Sequence, residues 1–102
     1  MRGDLSISQM TAIEREAVER LIKHAFGDTG QCRIIADFLL SWWNGSTCGK
    51  FDIVDLWGLD ENLQRDAIIV IKLATRLRIY PDNIGYEKQF VRLVREWRPH
   101  LK

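Results

Sequence analysis

Cysteine, histidine and proline are all scarce in this chain, and each scarcity excludes a class of protein. Cys32 and Cys48 are the two cysteines among 102 residues, with fifteen residues between them and no CxxC pair. Small disulfide-dependent secreted domains carry cysteines far more densely, so the expected location is the reducing cytoplasm. His24 and His100 are the two histidines. A four-ligand zinc site would need all four of these side chains, at spacings that match no zinc signature, so neither metal nor cofactor is expected. Buried, unpaired cysteine is ordinary core material, and Cys32 shares a helical face with Ala36 and Leu39. His24, near the end of the first predicted helix, suits the negative end of a helix dipole.

Long apolar runs are missing as well. Asp37 and Lys72 interrupt the two richest stretches, well short of the roughly 20 residues that cross a bilayer, and MRGDLSISQM has no signal-type apolar segment. No membrane role is expected. Catalytic patterns are also absent: Ser6, Ser8, Ser41 and Ser46 lie in no nucleophile elbow, and Gly45 to Lys50 follows a helix without phosphate-loop spacing. The chain is expected not to be an enzyme.

What is present is apolar side chain, 46% of residues, with four tryptophans, and only two prolines to interrupt helices, Pro99 almost at the end. This is enough for one core without staples, so a single domain over 1–102 is expected, ordered from about 8 to 99. Net charge is +1, but residues 1–66 carry seven Lys/Arg against eleven Asp/Glu, net −4, and residues 67–102 carry eight against three, net +5. A polyanion would meet the C-terminal third.

Thr11-x-x-Glu14 has capping-box form, and Met10, Ile13, Ala17, Leu21 and Ala25 follow at helical spacing to a stop at Gly27. Asp28 or Thr29 would cap a second helix to about Trp43, ended by left-handed geometry at Asn44-Gly45 and followed by a loop over 44–50. On this helix Ile34, Ile35, Ala36, Phe38, Leu39, Leu40, Trp42 and Trp43 leave only Arg33, Asp37 and Ser41 as a polar stripe. Asp52 would cap a short helix from Ile53 to Trp57, closed by Gly58. A fourth helix runs from Asp60 to about Ile79, with a polar stripe of Arg65, Lys72 and Arg76. Its β-branched run Ile68 to Ile71 is read as helix because no turn signal interrupts it. After the Pro81-Asp82-Asn83 turn, Tyr86, Phe90, Leu93, Val94 and Trp97 share one face of a last helix, Gly85 to Arg98.

These elements predict an all-α fold, a compact bundle of four main helices plus one short helix, with the 28–43 and 60–79 helices enclosed at its centre. The acids Asp52, Asp55, Asp60, Glu61 and Asp66 fit no calcium loop and read as caps and solubilising charge, or as a surface for basic protein grooves. Lys88, Arg92 and Arg95 form a stripe that reads first as a solvated face stabilising the end of its helix; the competing reading is phosphate contact, joined by Lys72 and Arg76. Trp42 and Trp57 are candidate partner contacts, because tryptophan is enriched where interfaces concentrate their energy.

The segments FLLSWWN (38–44), CGKFDIVDLWGLD (48–60), YPDNIGYEKQF (80–90) and VREWRP (94–99) together resemble a family of small uncharacterised bacterial proteins that recur on prophage-like and integrative elements. The resemblance covers about residues 34–99. It implies no reaction or cofactor, and suggests a mobile-element accessory protein of the kind that includes anti-CRISPR and other host-defence inhibitors. The functional expectation is a protein-binding module using Trp42, Trp57, Lys72, Arg76, Lys88, Arg92 and Arg95, its partner a larger protein complex or a second copy in a dimer. The alternative is a nucleic-acid-associated factor using the basic C-terminal helix.

Overall fold

The structure, a computed structural model, describes residues 10–48 and 51–101. Among the described residues there are four α-helices, α1 (Ala12–Ala25), α2 (Gly30–Cys48), α3 (Glu61–Leu77) and α4 (Glu87–Trp97), with 3-10 turns at Ile53–Gly58 between α2 and α3, at Pro81–Ile84 between α3 and α4, and at Pro99–Leu101. There is no strand among the described residues.

Local chemistry sets most of the boundaries. At the start of α1 the Glu14 amide donates to Thr11 Oγ1 at 3.1 Å and the Thr11 amide donates to Glu14 Oε1 at 2.9 Å, so two otherwise orphaned donors are satisfied. Arg78, at φ 53°, ends α3 in left-handed backbone, two residues before the predicted end. Pro81 then holds Tyr80 extended, at ψ 154°. Gly85, at φ 97°, supplies the second left-handed residue, closing the Pro81–Ile84 turn just before Tyr86, the N-cap of α4.

The 44–50 reading needs correction. Asn44 breaks α2 at φ −155° and ψ 75° without a left-handed residue, and the chain makes a further helical turn to Cys48. Asn44 Oδ1 organises that turn by accepting from the Ser46 hydroxyl and the Thr47 amide, both at 3.3 Å. The rest of the predicted loop, positions 49 and 50, lies outside the described residues.

Helix α2 is central, as its apolar circumference requires. Ile34 to Leu40 are all buried, covered by α1, α4 and the two 3-10 turns that precede and follow α3. Helix α3 is not enclosed. It buries one face, Leu63, Asp66, Ala67, Val70 and Leu73, chiefly against α1, and leaves Ile68 and Ile71 exposed. Periodicity misleads here because the β-branched run fills both faces, and only neighbouring helices decide which of them is covered. Ile13 is likewise exposed rather than core.

Ion pairs set the directions of packing. Glu14 meets Arg76 at 2.5 Å and Arg20 meets Asp66 at 2.9 Å, so α1 and α3 run antiparallel. Helices α2 and α4 are antiparallel too, since Trp43 stacks edge-on against Phe90 at 5.7 Å while Asp37 reaches Arg98.

Candidate functional site

Two groups of side chains stand out once the core is removed from consideration. One is a buried polar network. Asp37 interrupts the apolar face of α2, and a carboxylate there demands a partner. Arg98 supplies it: Nη2 donates to Asp37 Oδ1 at 2.6 Å, Nε to the Cys48 carbonyl at 2.7 Å and Nη1 to the Trp97 carbonyl at 3.0 Å. Asp37 and Arg98 are only 3% and 5% exposed. Arg33, one turn earlier on α2, donates to the other Asp37 oxygen at 3.1 Å from a half-exposed position. The kink at Asn44 swings the Cys48 carbonyl towards Arg98, so this network clasps the end of α2 to the end of α4. Burial pushes the Cys48 thiol upward, only partly offset by the Arg98 charge.

The other group is an exposed apolar surface on the turn Ile53–Gly58. Trp57 is 81% exposed, Ile53 67% and Val54 49%. The turn is held from beneath: Gln64 Nε2 donates to the Leu56 carbonyl at 2.8 Å, the Asp60 amide donates to Gln31 Oε1 at 2.6 Å, and Phe51 packs edge-on to Phe38 at 5.3 Å. Gln64, Ile68, Ile71 and Thr75 follow one another along α3 at helical spacing, so the exposed pair Ile68 and Ile71 continues away from the turn. A hollow of about 220 Å³ between α2 and α3, lined by Phe38, Trp42 and Ile71 among others, lies beside this strip. Asp52, Asp60 and Glu61 are exposed around the turn, with Asp55 half-buried within it. Asp52 caps the turn in a reciprocal box with Asp55, whose Oδ2 accepts from the Asp52 amide at 3.4 Å, whereas Asp60 stands at the N-cap of α3 without a side-chain cap hydrogen bond.

The sequence-predicted site residues separate. Trp57 is on the surface, whereas Trp42 is packed: its indole Nε1 donates to the Ile79 carbonyl at 3.0 Å and its ring meets Phe90 edge-on at 6.2 Å. Lys72 and Arg76 are exposed on α3, where Arg76 pairs with Glu14. Burial alone would raise the Glu14 carboxyl, but the Thr11 amide, the Arg76 guanidinium and the Thr11 hydroxyl outweigh it and hold it below the ordinary carboxylate range. Lys88, Arg92 and Arg95 are exposed on α4, with Arg92 lying 4.7 Å over the Phe26 ring. Glu14 and Phe26 mark opposite ends of α1, so the two basic groups are roughly 18 Å apart along it at 1.5 Å per residue. They do not form one stripe. Asp66 is buried beneath a bidentate Arg20, both contacts 2.9 Å, so it leaves the surface acid cluster.

Sequence reasoning missed the Asp37–Arg98 pair. The signal was there, a single acid inside the seven-residue stretch 34–40 whose other six residues are apolar, but its buried cation stands 61 positions away. No group of three or more His, Cys, Asp or Glu side chains is placed to hold a metal ion among the described residues. No helix among them is long and apolar enough to cross a membrane.

Fold and surface together define a small all-α domain whose distinctive exposed feature is a rigidly seated tryptophan turn. The chain belongs to a family of unknown function, DUF7673, which it matches over residues 15–98. That span contains the tryptophan turn and both ends of the Asp37–Arg98 clasp. No curated protein matches the chain, and no solved structure does.

Proposed function

We propose that this protein is a non-enzymatic binding module that docks onto a protein through Ile53, Val54 and Trp57. The observation that carries the reading is the combination of exposure and anchorage in one turn. Three large apolar side chains stand in solvent on a backbone fixed by Gln64 and Gln31. Such a preorganised apolar contact binds with little ordering cost, and tryptophan at its centre is the residue type most enriched at energetic hot spots. The acidic residues around it would form the polar rim.

The test is photo-crosslinking. A benzophenone amino acid placed at position 57, irradiated in bacterial cells, should yield a discrete adduct with a protein, and the same probe at the exposed Glu96 of α4 should not. A folded probe variant that gives no adduct overturns the reading. The resemblance to mobile-element proteins suggests a particular setting, inhibition of a host-defence complex such as a CRISPR effector. There the wild-type chain should restore phage plating in a defended host and Trp57→Ala should not.

A further inference from the structure

We infer that the partner of the Trp57 turn is a second copy of this chain, which receives the turn in the hollow beside α4 in a head-to-tail contact. The inference rests on the docking reading above and names its occupant. Towards the other end of α2, Trp43, Val91, Val94 and Arg95 line a hollow of about 580 Å³, and Glu87, Lys88, Val91, Arg92 and Arg95 line an adjoining one of about 360 Å³. Val91 and Arg95 are common to both, so the two are one surface with an apolar floor and a basic edge.

The two surfaces are complementary in kind and in sign. The turn presents Trp57, Ile53 and Val54 with the exposed acids Asp52, Asp60 and Glu61 flanking them in the chain, and Arg65 one helical turn further along α3. The α4 surface presents Trp43, Val91 and Val94 beside Lys88, Arg92 and Arg95, with Glu87 at the margin and Glu96 on the flank. An apolar knob with an acidic rim matches an apolar floor with a basic rim, and such matching sets the orientation of docking.

Position excludes an intramolecular contact. The turn is fixed near the start of α2, through Asp60 and Gln31, and the hollow lies near its far end, at Trp43. Twelve helical residues separate those anchors, roughly 18 Å. Different patches on opposite ends make a heterologous interface, which builds chains or rings rather than a closed two-fold pair. Nucleic acid fits the α4 surface less well, because its backbone offers nothing to the apolar floor and the other cations, Lys72 and Arg76, lie too far away to join in.

The experiment is sedimentation of the full chain across micromolar concentrations, with two variants used singly and mixed. Wild type should associate with rising concentration, and less so at high salt, which screens the rims. Trp57→Ala and the double variant Lys88→Glu/Arg95→Glu, both altered only at exposed positions, should each remain folded by circular dichroism and weaken association at least about twentyfold, the scale of a hot spot. Mixed together, they should form a 1:1 complex that grows no further, because one retains the hollow and the other the knob. A wild-type chain that stays monomeric overturns the inference, as does a mixture that forms no complex. Salt-sensitive DNA binding lost in Lys88→Glu/Arg95→Glu, without self-association, would give α4 to nucleic acid instead. In each of these cases, a crosslink from position 57 to a different protein would leave the docking reading standing.

Discussion

Replacing Arg98 by Met tests how the buried network holds the fold. Met keeps the unbranched stem and the packing volume but deletes every donor. Asp37, 3% exposed, then retains only Arg33, whose guanidinium is half in water and contributes at most about 1 kcal/mol. The Cys48 carbonyl loses the Nε donor that stands 2.7 Å from it. Stranding a buried charge costs about 3–5 kcal/mol, and for a domain of this size each kcal/mol moves the melting temperature by about 4–8 °C. The expected loss is therefore at least about 12 °C. Asp37→Leu alone should cost a similar amount by stranding Arg98. The pair Asp37→Leu/Arg98→Met removes both charges and leaves mainly the orphaned carbonyl, so it should lose no more than about 2 kcal/mol, far less than the sum of the singles. Urea unfolding followed by tryptophan fluorescence measures all three. The reasoning is refuted if Arg98→Met lies within about 1 kcal/mol of wild type, or if the double variant equals the sum.

Other positions give independent checks. The Tyr86 hydroxyl donates to Glu19 at 3.1 Å, and burial, followed by that bond and the Glu19 charge, raises its pKa. The folded chain thus resists ionisation while the unfolded chain ionises near its ordinary value, so this contribution to stability is intact below about pH 10 and lost as pH rises beyond it. Tyr86→Phe should cost about 0.5–1.5 kcal/mol at neutral pH and flatten that alkaline loss, which parallel urea titrations would show or deny. A Cβ added at Gly27 would stand 2.5 Å from Cys32 Sγ, so Gly27→Ala should cost about 1–3 kcal/mol, and much less in a Cys32→Ala background. An equal cost in both backgrounds would rule out the clash. Trp57→Ala should change stability by under about 0.5 kcal/mol, whereas Trp97→Ala, which removes the indole donor 2.8 Å from the Ala25 carbonyl, should cost at least about 2 kcal/mol. Thermal melts of the two variants compare them directly.

The features legible in the residues were the ones short stretches of chain determine for themselves. Thr11 and Glu14 lie one turn apart, so their reciprocal cap needs no other part of the molecule. The face of Phe90, Leu93, Val94 and Trp97 follows from helical period alone, and α2, apolar nearly all round, had to be either central or covered by a partner. Single-turn chemistry and periodicity therefore determined an all-α bundle with nearly its observed helices. Tertiary structure decided what each apolar face meets. Trp42 and Trp57 looked equivalent, yet one indole donates to Ile79 and the other stands in water. Asp37 required a cation, but only the kink at Asn44 and the antiparallel approach of α4 chose Arg98, 61 residues away. Exposure and long-range pairing depend on which elements come together, and no local pattern encodes the neighbour.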